Sequence, residues 1–394
     1  MYFQSLDDKQ ECVGVYVDGK LYFDDIPDNL TRTWAPGGHQ DDSIEYAWVY
    51  ANGLPIEKAC PEHLKDAWDK VSKKIVAYKK SFEIAKVNLR DHCFFDLVPH
   101  DALVEFCDVK NQITKHIFEN NERPENYEYI AAAAKLLYKI KHQDLNLDST
   151  DCRSLFINSN SRQGAQKLLN GPRYINYNLF GTVTGRLTTR SVCFPILTIK
   201  KELRQIVKPH NDWFLSLDYN GAEARTVLAL AGEVQPEHDI HNWNIINVFR
   251  NPSMKREEAK TLFFAWLYNP DSKDLNDSYY DREKILDKWY DGEYITTIFG
   301  RRIKVNDWKA LNYLIQSTTA DLVIDRAIAI DKFLEGKRSF VSHIVHDEVV
   351  IDFADEDRNL VKEIKDIFAD NRLAKYEVNL NAGKNYFDLD TLPL

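Results

Sequence analysis

The 394-residue chain is 44% hydrophobic, 28% charged and rich in aromatic residues, the composition of a large folded protein and not of a disordered one. No apolar run reaches the roughly 20 residues that span a bilayer, and the six cysteines are scattered without a CxxC or a Cys/His pairing, which sets aside a membrane helix and a zinc site and fits a reducing, cytoplasmic-type compartment. A net charge of −10 neither supports nor excludes a nucleic-acid partner, since phosphate contacts need only a local basic surface such as Arg186, Arg190, Lys200, Lys201, Arg204 and Lys208.

Taken in chain order, Tyr2-Phe3-Gln4-Ser5 reads as the remnant of a tag-removal site. Residues 10–50 alternate apolar and polar positions, Val15, Leu21, Tyr22, Tyr46, Trp48 and Tyr50 among them, with Asp-Gly and Pro-Gly-Gly turns, and predict a few short strands. From Pro61 to about Asn88 the spacing becomes three and four, placing Leu64, Trp68, Val71, Ile75 and Tyr78 on one face of a helix. Two further helices are expected near 101–120 and 124–142, separated by Glu122-Arg123-Pro124. Beyond them, 171–232 mixes strand and loop, 234–290 is largely helical, and 291–306 reads as a hairpin. A helix is expected at 308–334, two apolar strands around a polar tip at 339–354, and a last helix at 357–374. Strands interleaved with long helices predict an α+β or α/β core carrying a helical insertion.

Chemistry concentrates in three places. In Phe214-Leu215-Ser216-Leu217-Asp218-Tyr219 an apolar strand delivers Asp218 at its end, just before a helix starting near Ala222. A carboxylate held where a buried strand emerges suits a metal ligand, and the same residue would equally suit the cap of that helix. Phe340 to Phe353 reads as two hydrophobic strands flanking His346-Asp347-Glu348, so this hairpin offers acids at its turn, a place Asp also takes for local reasons. Carboxylates from two separate strands can bridge a pair of hard cations about 3.5–4 Å apart, the arrangement for in-line phosphoryl transfer. In the third place, Arg256, Lys260, Phe264 and Tyr268 recur every four residues along one helix. Each step drifts only about 40° around an α-helix, so the four make one slowly winding stripe from two cations to two aromatic rings. That order matches a nucleoside triphosphate laid along the helix, phosphates at one end and base at the other. An amphipathic helix with aromatic core residues would show the same spacing.

With these motifs in hand, the chain resembles the bacterial DNA polymerase I family (family A) in a compact, phage-like form. The resemblance runs from about Tyr174 to Tyr386 in the family's order: Thr184-Gly185-Arg186-Leu187, Leu203-Arg204-Gln205-Ile206-Val207, the strand ending in Asp218, then Asp239-Ile240-His241 and the Arg256–Tyr268 helix. Phe299-Gly300-Arg301-Arg302, Gln316 to Asp321, the His346-Asp347-Glu348 tip and Gly383-Lys384-Asn385-Tyr386 complete it. It implies a DNA-directed DNA polymerase, a nucleotidyltransferase that adds deoxynucleotides to a primer 3′ end and releases pyrophosphate, with primer-template DNA and dNTPs as partners. It implies a right-hand α+β fold: an N-terminal remnant of uncertain role over 1–75, a helical thumb over 76–170, and a palm sheet over 171–394 with helical fingers inserted at about 233–310. A monomer in the cytoplasm is expected, the host's cytoplasm if the source is viral.

The resemblance also assigns roles. Asp218 and Asp347 would bind two magnesium ions, with the Tyr219 carbonyl completing one shell. Glu348 would support the site without being an obligatory ligand. Arg256, Lys260 and His241 would hold the triphosphate, Lys260 also serving as proton donor to pyrophosphate. Phe264 would pack on the incoming sugar and base, Tyr268 would fill the template-base position, and Glu223 would lie against C2′ of the sugar with Tyr268 as its hydrogen-bond partner. Arg186 and Gln316 would read minor-groove acceptors, which barely differ among base pairs and so suit an enzyme that copies any sequence. His346 would touch the primer-terminal phosphate or sugar, and Arg204 would contact DNA.

The chain departs from the family at Asn269, which follows Tyr268 in place of Gly, at Arg190 to Pro195, which replaces a longer Asn-rich loop, and at Trp308-Lys309, where an Arg is expected. The interval from Lys260 to Gln316 is shorter than in bacterial members, which predicts trimmed fingers. Residues 1–100 hold no Asp-x-Glu, so the chain is expected not to proofread. The alternatives are a single-subunit RNA polymerase, a structure-specific nuclease and a non-catalytic DNA-binding protein derived from a polymerase. Glu223 argues against the first, the Arg-Lys-Phe-Tyr stripe against the second, and the joint presence of Asp218, Asp347 and Lys260 against the third.

Overall fold

Residues 9, 10, 40, 90, 91, 151, 273, 274, 276–278 and 394 lie outside the described part of the computed structural model, as do the side chains of 8, 11–13 and 154. Contacts divide the chain into two units, Met1–His142 and Gln143–Leu394, a boundary that falls inside the segment expected as a thumb. No helix of the described residues is long and apolar enough to cross a membrane.

In the first unit β1 (Gln4–Asp8), β2 (Glu11–Val17) and β3 (Lys20–Tyr22) form an antiparallel sheet. The turn between β2 and β3 places both Asp18 and Gly19 at positive φ, the pairing that Asp-Gly turns favour. Helix α1 (Lys65–Ile84) packs along α2 (His100–Asn120), and α3 (Tyr127–Lys141) follows. Leu6, Tyr16, Val98, Ala102, Leu103 and Cys107 make the core where the sheet meets α2. Residues 2–5 are built into this unit: Phe3 is fully buried, and the Gln4 amide donates to Asn111 at 3.1 Å and Thr114 at 3.0 Å. Of the alternating Tyr46, Trp48 and Tyr50, expected as strand, Tyr46 does pair as a short strand beside Thr33, whereas Trp48 and Tyr50 fall in a helical turn at Ala47–Tyr50. Over so short a run, period two cannot be told from one turn of helix, and here the buried set is Ala47, Val49 and Tyr50.

The second unit is built on a five-stranded sheet. From Trp213 onward its main elements in chain order are β4 (Trp213–Tyr219), α4 (Ala222–Ala231), α5 (Ile240–Asn247), α6 (Arg256–Tyr268), α7 (Arg282–Trp289) and a small hairpin of β5 (Tyr294–Thr296) with β6 (Arg302–Lys304). There follow α8 (Asp307–Phe333), β7 (Phe340–Val345), β8 (Glu348–Phe353), α9 (Val361–Ala369), β9 (Val378–Gly383) and β10 (Asp390–Thr391). The strand order is β7-β8-β4-β9-β10, antiparallel at every pairing. The apolar run Phe214, Leu215 and Leu217 is buried, its alternation of faces placing apolar side chains on both sides of the sheet, and β4 is flanked by strands on both edges. β9 was not among the predicted elements, and α9 stops short of the expected end at 374.

Helix α8 is 27 residues long and buried around most of its circumference, Ser317, Thr318, Asp321 and Asp325 included. Buried acids need partners. Asp321, fully buried, accepts from Nε of Arg301 at 3.0 Å and from Nη2 at 2.7 Å, and Arg301 is only 9% exposed. Gly185 permits this pair: at φ 74°, a Cβ there would stand 2.6 Å from the Arg301 guanidinium carbon.

Two outcomes follow from this core. Asp321→Ala strands a buried guanidinium and should cost about 3–5 kcal/mol in urea unfolding, whereas the joint change Arg301→Met with Asp321→Leu should cost clearly less; equal losses would mean the charges are not what matters. His343, fully buried on β7 against Phe214 and Tyr386, has its imidazole pushed down to about 3 by burial and by Arg204. An unfolded histidine titrates near 6.5. Between those values the unfolded chain binds a proton that the folded chain refuses, so this group makes stability fall as pH drops from about 6.5 toward 3 and has no pH-dependent effect above that window. His343→Phe should flatten the unfolding midpoint against pH over that range, and parallel profiles for variant and wild type would assign the loss to other groups.

Candidate active site

Asp218 is the next-to-last residue of β4, and its cross-strand partner is Glu348, the first residue of β8. The turn joining β7 to β8 is His346-Asp347, so this register sets Asp347 beside Asp218, and both line a cleft of about 400 Å³. His346 holds the turn at φ 57°, a left-handed conformation that costs a non-glycine residue energy and that concentrates at functional sites. Ahead of α4 the chain passes through Gly221 at φ 69°, where a Cβ would stand 2.4 Å from the Ile240 side chain. Glycine there lets α5 approach the end of β4.

Arg256, Lys260, Phe264 and Tyr268 line the cleft together from α6. The buried residues of that helix are Ala259, Phe263, Trp266 and Leu267, so the aromatic core forms a separate stripe from the cation-to-aromatic one. The Phe264 and Tyr268 rings stack, centroids 5.8 Å apart and planes 14° from parallel. At the other end Arg256 is aimed by Asp239, the cap of α5, which accepts from its Nε at 3.1 Å and Nη2 at 2.8 Å. Asp239 also accepts from Asn220 at 3.0 Å and from the Asn242 amide at 2.9 Å. Against the opposing effect of burial, these donors hold its carboxyl well below the usual range. The approach to this cap is pinned by Arg225, fully buried, which donates to the carbonyls of Asn220, Pro236 and His238 at 2.7–2.8 Å. His241, 2% exposed, also lines the cleft; burial and the neighbouring Arg256 push its imidazole down to about 4, and its Nδ1 has no partner among the described residues.

Glu223 lies on the first turn of α4, largely buried, paired with Arg186 and accepting from the Tyr268 hydroxyl at 3.4 Å. Burial raises its carboxyl above the usual range, with Arg186 opposing. Gln316 hydrogen-bonds Tyr268 from α8. The cleft therefore gathers Asp218, Tyr219, Asp347, Glu223, Lys260, Arg256, His241, Phe264, Tyr268, Arg186 and His346, with Gln316 attached through Tyr268. Arg204 is not among the lining residues: its guanidinium lies over the Tyr386 ring, 4.7 Å from the centroid. Trp308, where an Arg was expected, is an exposed side chain at the start of α8.

The donors fit a hard dication. Burial and the charge of Asp347 raise the Asp218 carboxyl to about 7, with the Asn379 hydrogen bond and the charge of Lys260 opposing. Among the described residues no three His, Cys, Asp or Glu side chains form a closed metal cage. A cation here would rest on two carboxylates and draw its remaining oxygens from backbone, substrate and water, which is the coordination that magnesium prefers. Sequence reasoning assigned no role to Asn379, whose amide donates to Asp218 at 3.3 Å from β9, or to Asp239 and Asn220. The alternation Tyr376, Val378, Leu380 against Glu377, Asn379, Asn381 was the available signal for the first, and the cap position before α5 for the second.

Comparison with known proteins gives consistent results. No protein-family profile matches the chain. DNA polymerase I of Aquifex aeolicus is 25% identical over 244 residues, 50% of this chain and 42% of that protein. The thermostable DNA polymerase I of Thermus aquaticus is 24% identical over 233 residues, 46% of this chain and 28% of that protein. The chain thus spans less than half the length of these curated relatives. Among solved structures, the POL domain of Pol1 from M. smegmatis, in complex with a DNA primer-template and dNTP, superposes with a TM-score of 0.56 at 15% identity, over 73% of this chain and 76% of that one. The shared fold is the α+β fold of a polymerase domain.

Proposed function

We propose, from this kinship with the family A DNA polymerases, that the chain is a template-directed DNA polymerase that extends a primer 3′ end with deoxynucleotides. The observation that carries the reading is the convergence, in one cleft, of two strand-end carboxylates with the cation-to-aromatic stripe of α6. In this reading the β4-centred sheet is the palm, the α5–α7 region belongs to inserted fingers, and primer-template DNA and dNTPs are the partners.

Two divalent cations, magnesium by the chemistry of the donors, would be held by Asp218, Asp347 and the Tyr219 carbonyl, and when bound would activate the primer hydroxyl and neutralise the leaving pyrophosphate. The chain's own side chains supply the rest. Arg256, aimed by Asp239, and Lys260 offer positive charge to the triphosphate from successive turns of α6. Lys260 would also return a proton to the departing pyrophosphate. His241, held neutral by its surroundings, can donate a hydrogen bond to a phosphate oxygen without adding charge. Phe264 offers a ring face to the incoming base, and the stacked Tyr268 covers the space next to it. Arg186 and Gln316 offer donors to minor-groove acceptors, and His346 stands at the hairpin tip to meet the primer terminus.

Asp218→Ala or Asp347→Ala should reduce primer extension by more than a hundredfold, about 2.7 kcal/mol of barrier, while leaving a folded protein that binds primer-template. Retention of more than about a hundredth of the wild-type rate by either variant would remove that carboxylate from the chemistry.

Sugar choice should depend on Glu223. A 2′-hydroxyl would meet its largely buried carboxylate, and rejection by a thousandfold needs only about 4 kcal/mol, within reach of a clash plus desolvation of a charge. Glu223→Ala should raise the ratio of kcat/KM for ribonucleotide over deoxynucleotide even if the overall rate falls. An unchanged ratio would take Glu223 out of the sugar site and favour an RNA polymerase reading.

We further propose that this chain does not proofread. A mismatched primer 3′ end should survive incubation with the purified protein without dNTPs, and its degradation, persisting in Asp347→Ala, would overturn this.

A further inference from the structure

Glu348 follows Asp347 directly and is the cross-strand partner of Asp218, yet it does not line the cleft. Both of its oxygens are occupied elsewhere. Oε1 accepts from the Ser216 hydroxyl at 2.5 Å, and Oε2 accepts from the Tyr386 hydroxyl at 2.8 Å. Ser216 and Asp218 share one face of β4, so the Glu348 carboxylate is drawn back along that face, away from Asp218.

Tyr386 is fixed on several sides. It is 2% exposed, and its amide donates to the Val207 carbonyl at 3.0 Å. The His343 ring meets it edge-on at 4.7 Å, and the Arg204 guanidinium covers it at 4.7 Å. Burial and the charge of Glu348 raise its phenol well above the ordinary value, so the hydroxyl stays a donor.

A carboxylate free to rotate beside Asp347 would add a third negative charge to a site whose two acids already repel. Because Glu348 is the first residue of β8, any movement of its anchor also moves the strained turn that presents Asp347. Ser216 satisfies one oxygen, and the second bond, from a residue at the far end of the chain, completes the anchor.

We propose that Tyr386 is a positioning residue: by donating to Glu348 it holds that carboxylate out of the cleft and sets the place of Asp347. Arg204 then acts as the plate that holds Tyr386. The proposal rests on the polymerase reading for its kinetic consequences, but its geometry does not.

Tyr386→Phe keeps the ring and removes the donor. Single-nucleotide addition should lose about ten- to hundredfold in kcat, the cost of a small misplacement of a reacting group. KM for the dNTP and affinity for primer-template should stay within about twofold, and the thermal midpoint should shift by no more than about 4 °C. In a Glu348→Ala background the same change should alter kcat by less than about twofold, since the bond it removes is already gone. Binding of Mn2+ to the free protein, followed by electron paramagnetic resonance, should weaken severalfold in Tyr386→Phe.

A wild-type kcat in Tyr386→Phe, or an equal loss in both backgrounds, overturns the positioning role while leaving the polymerase reading in place. If the wild-type protein extends no primer, the polymerase reading falls and the Mn2+ measurement decides the role of Tyr386 alone: unchanged affinity overturns it.

Discussion

The site depends on the register between β4 and β8. With Asp218 opposite Glu348, the residue before Glu348 must fall beside the end of β4, and a slip by one residue would send either acid to the wrong face of the sheet. The register is held by burial: Phe214, Leu215 and Leu217 on one strand and Val349, Val350 and Ile351 on the other are all buried. What it brings together is unfavourable in isolation, since two carboxylates are packed into one partly buried cleft. The loss of water and, after it, the charge of Asp347 push the Asp218 carboxyl upward for that reason. The arrangement makes physical sense as a receptor for cations, and the surroundings are built to keep it from relaxing. Asn379 holds Asp218, Glu348 is tied back, and His346 bears a strained turn.

Around this centre the cleft separates charges by kind. Cations come from the Arg256 end of α6, where Asp239 orients the Arg256 guanidinium by accepting from two of its nitrogens. Aromatic rings come from the Tyr268 end, where Glu223 and Gln316 fix the hydroxyl. A ligand with a polyanionic tail and a flat apolar head fits that polarity in one direction only. Between the two ends lies Glu223, a largely buried carboxylate tied to Arg186 and to the Tyr268 hydroxyl.

Much of this was legible in the sequence where strong local patterns carried it. The strand ending in Asp218, the hairpin around Asp347 and the stripe on α6 were each readable from hydrophobic period and residue type, and they meet in the fold. Expectations failed where the signal was short or long-range. Tyr46, Trp48 and Tyr50 alternate like a strand, but only Tyr46 pairs as one and the other two turn as a helix, since three alternating positions cannot distinguish the periods. The strand β9 lacks β-branched residues apart from Val378 and was passed over, and with it Asn379. The packing of Arg204 over the Tyr386 ring has no local signal either, since the two lie far apart in the chain. The donors that hold Glu348 come from Ser216 and Tyr386, and no local pattern announces a contact across such a separation.

The central claim is that this cleft joins nucleotides to a primer. The most direct measurement is extension of an end-labelled primer on a DNA template by the purified chain with four dNTPs, in magnesium and in excess chelator. The account predicts products lengthened in template order in magnesium and none with chelator. A protein that binds the same primer-template but leaves the primer unextended in magnesium would contradict it and favour a DNA-binding role without catalysis.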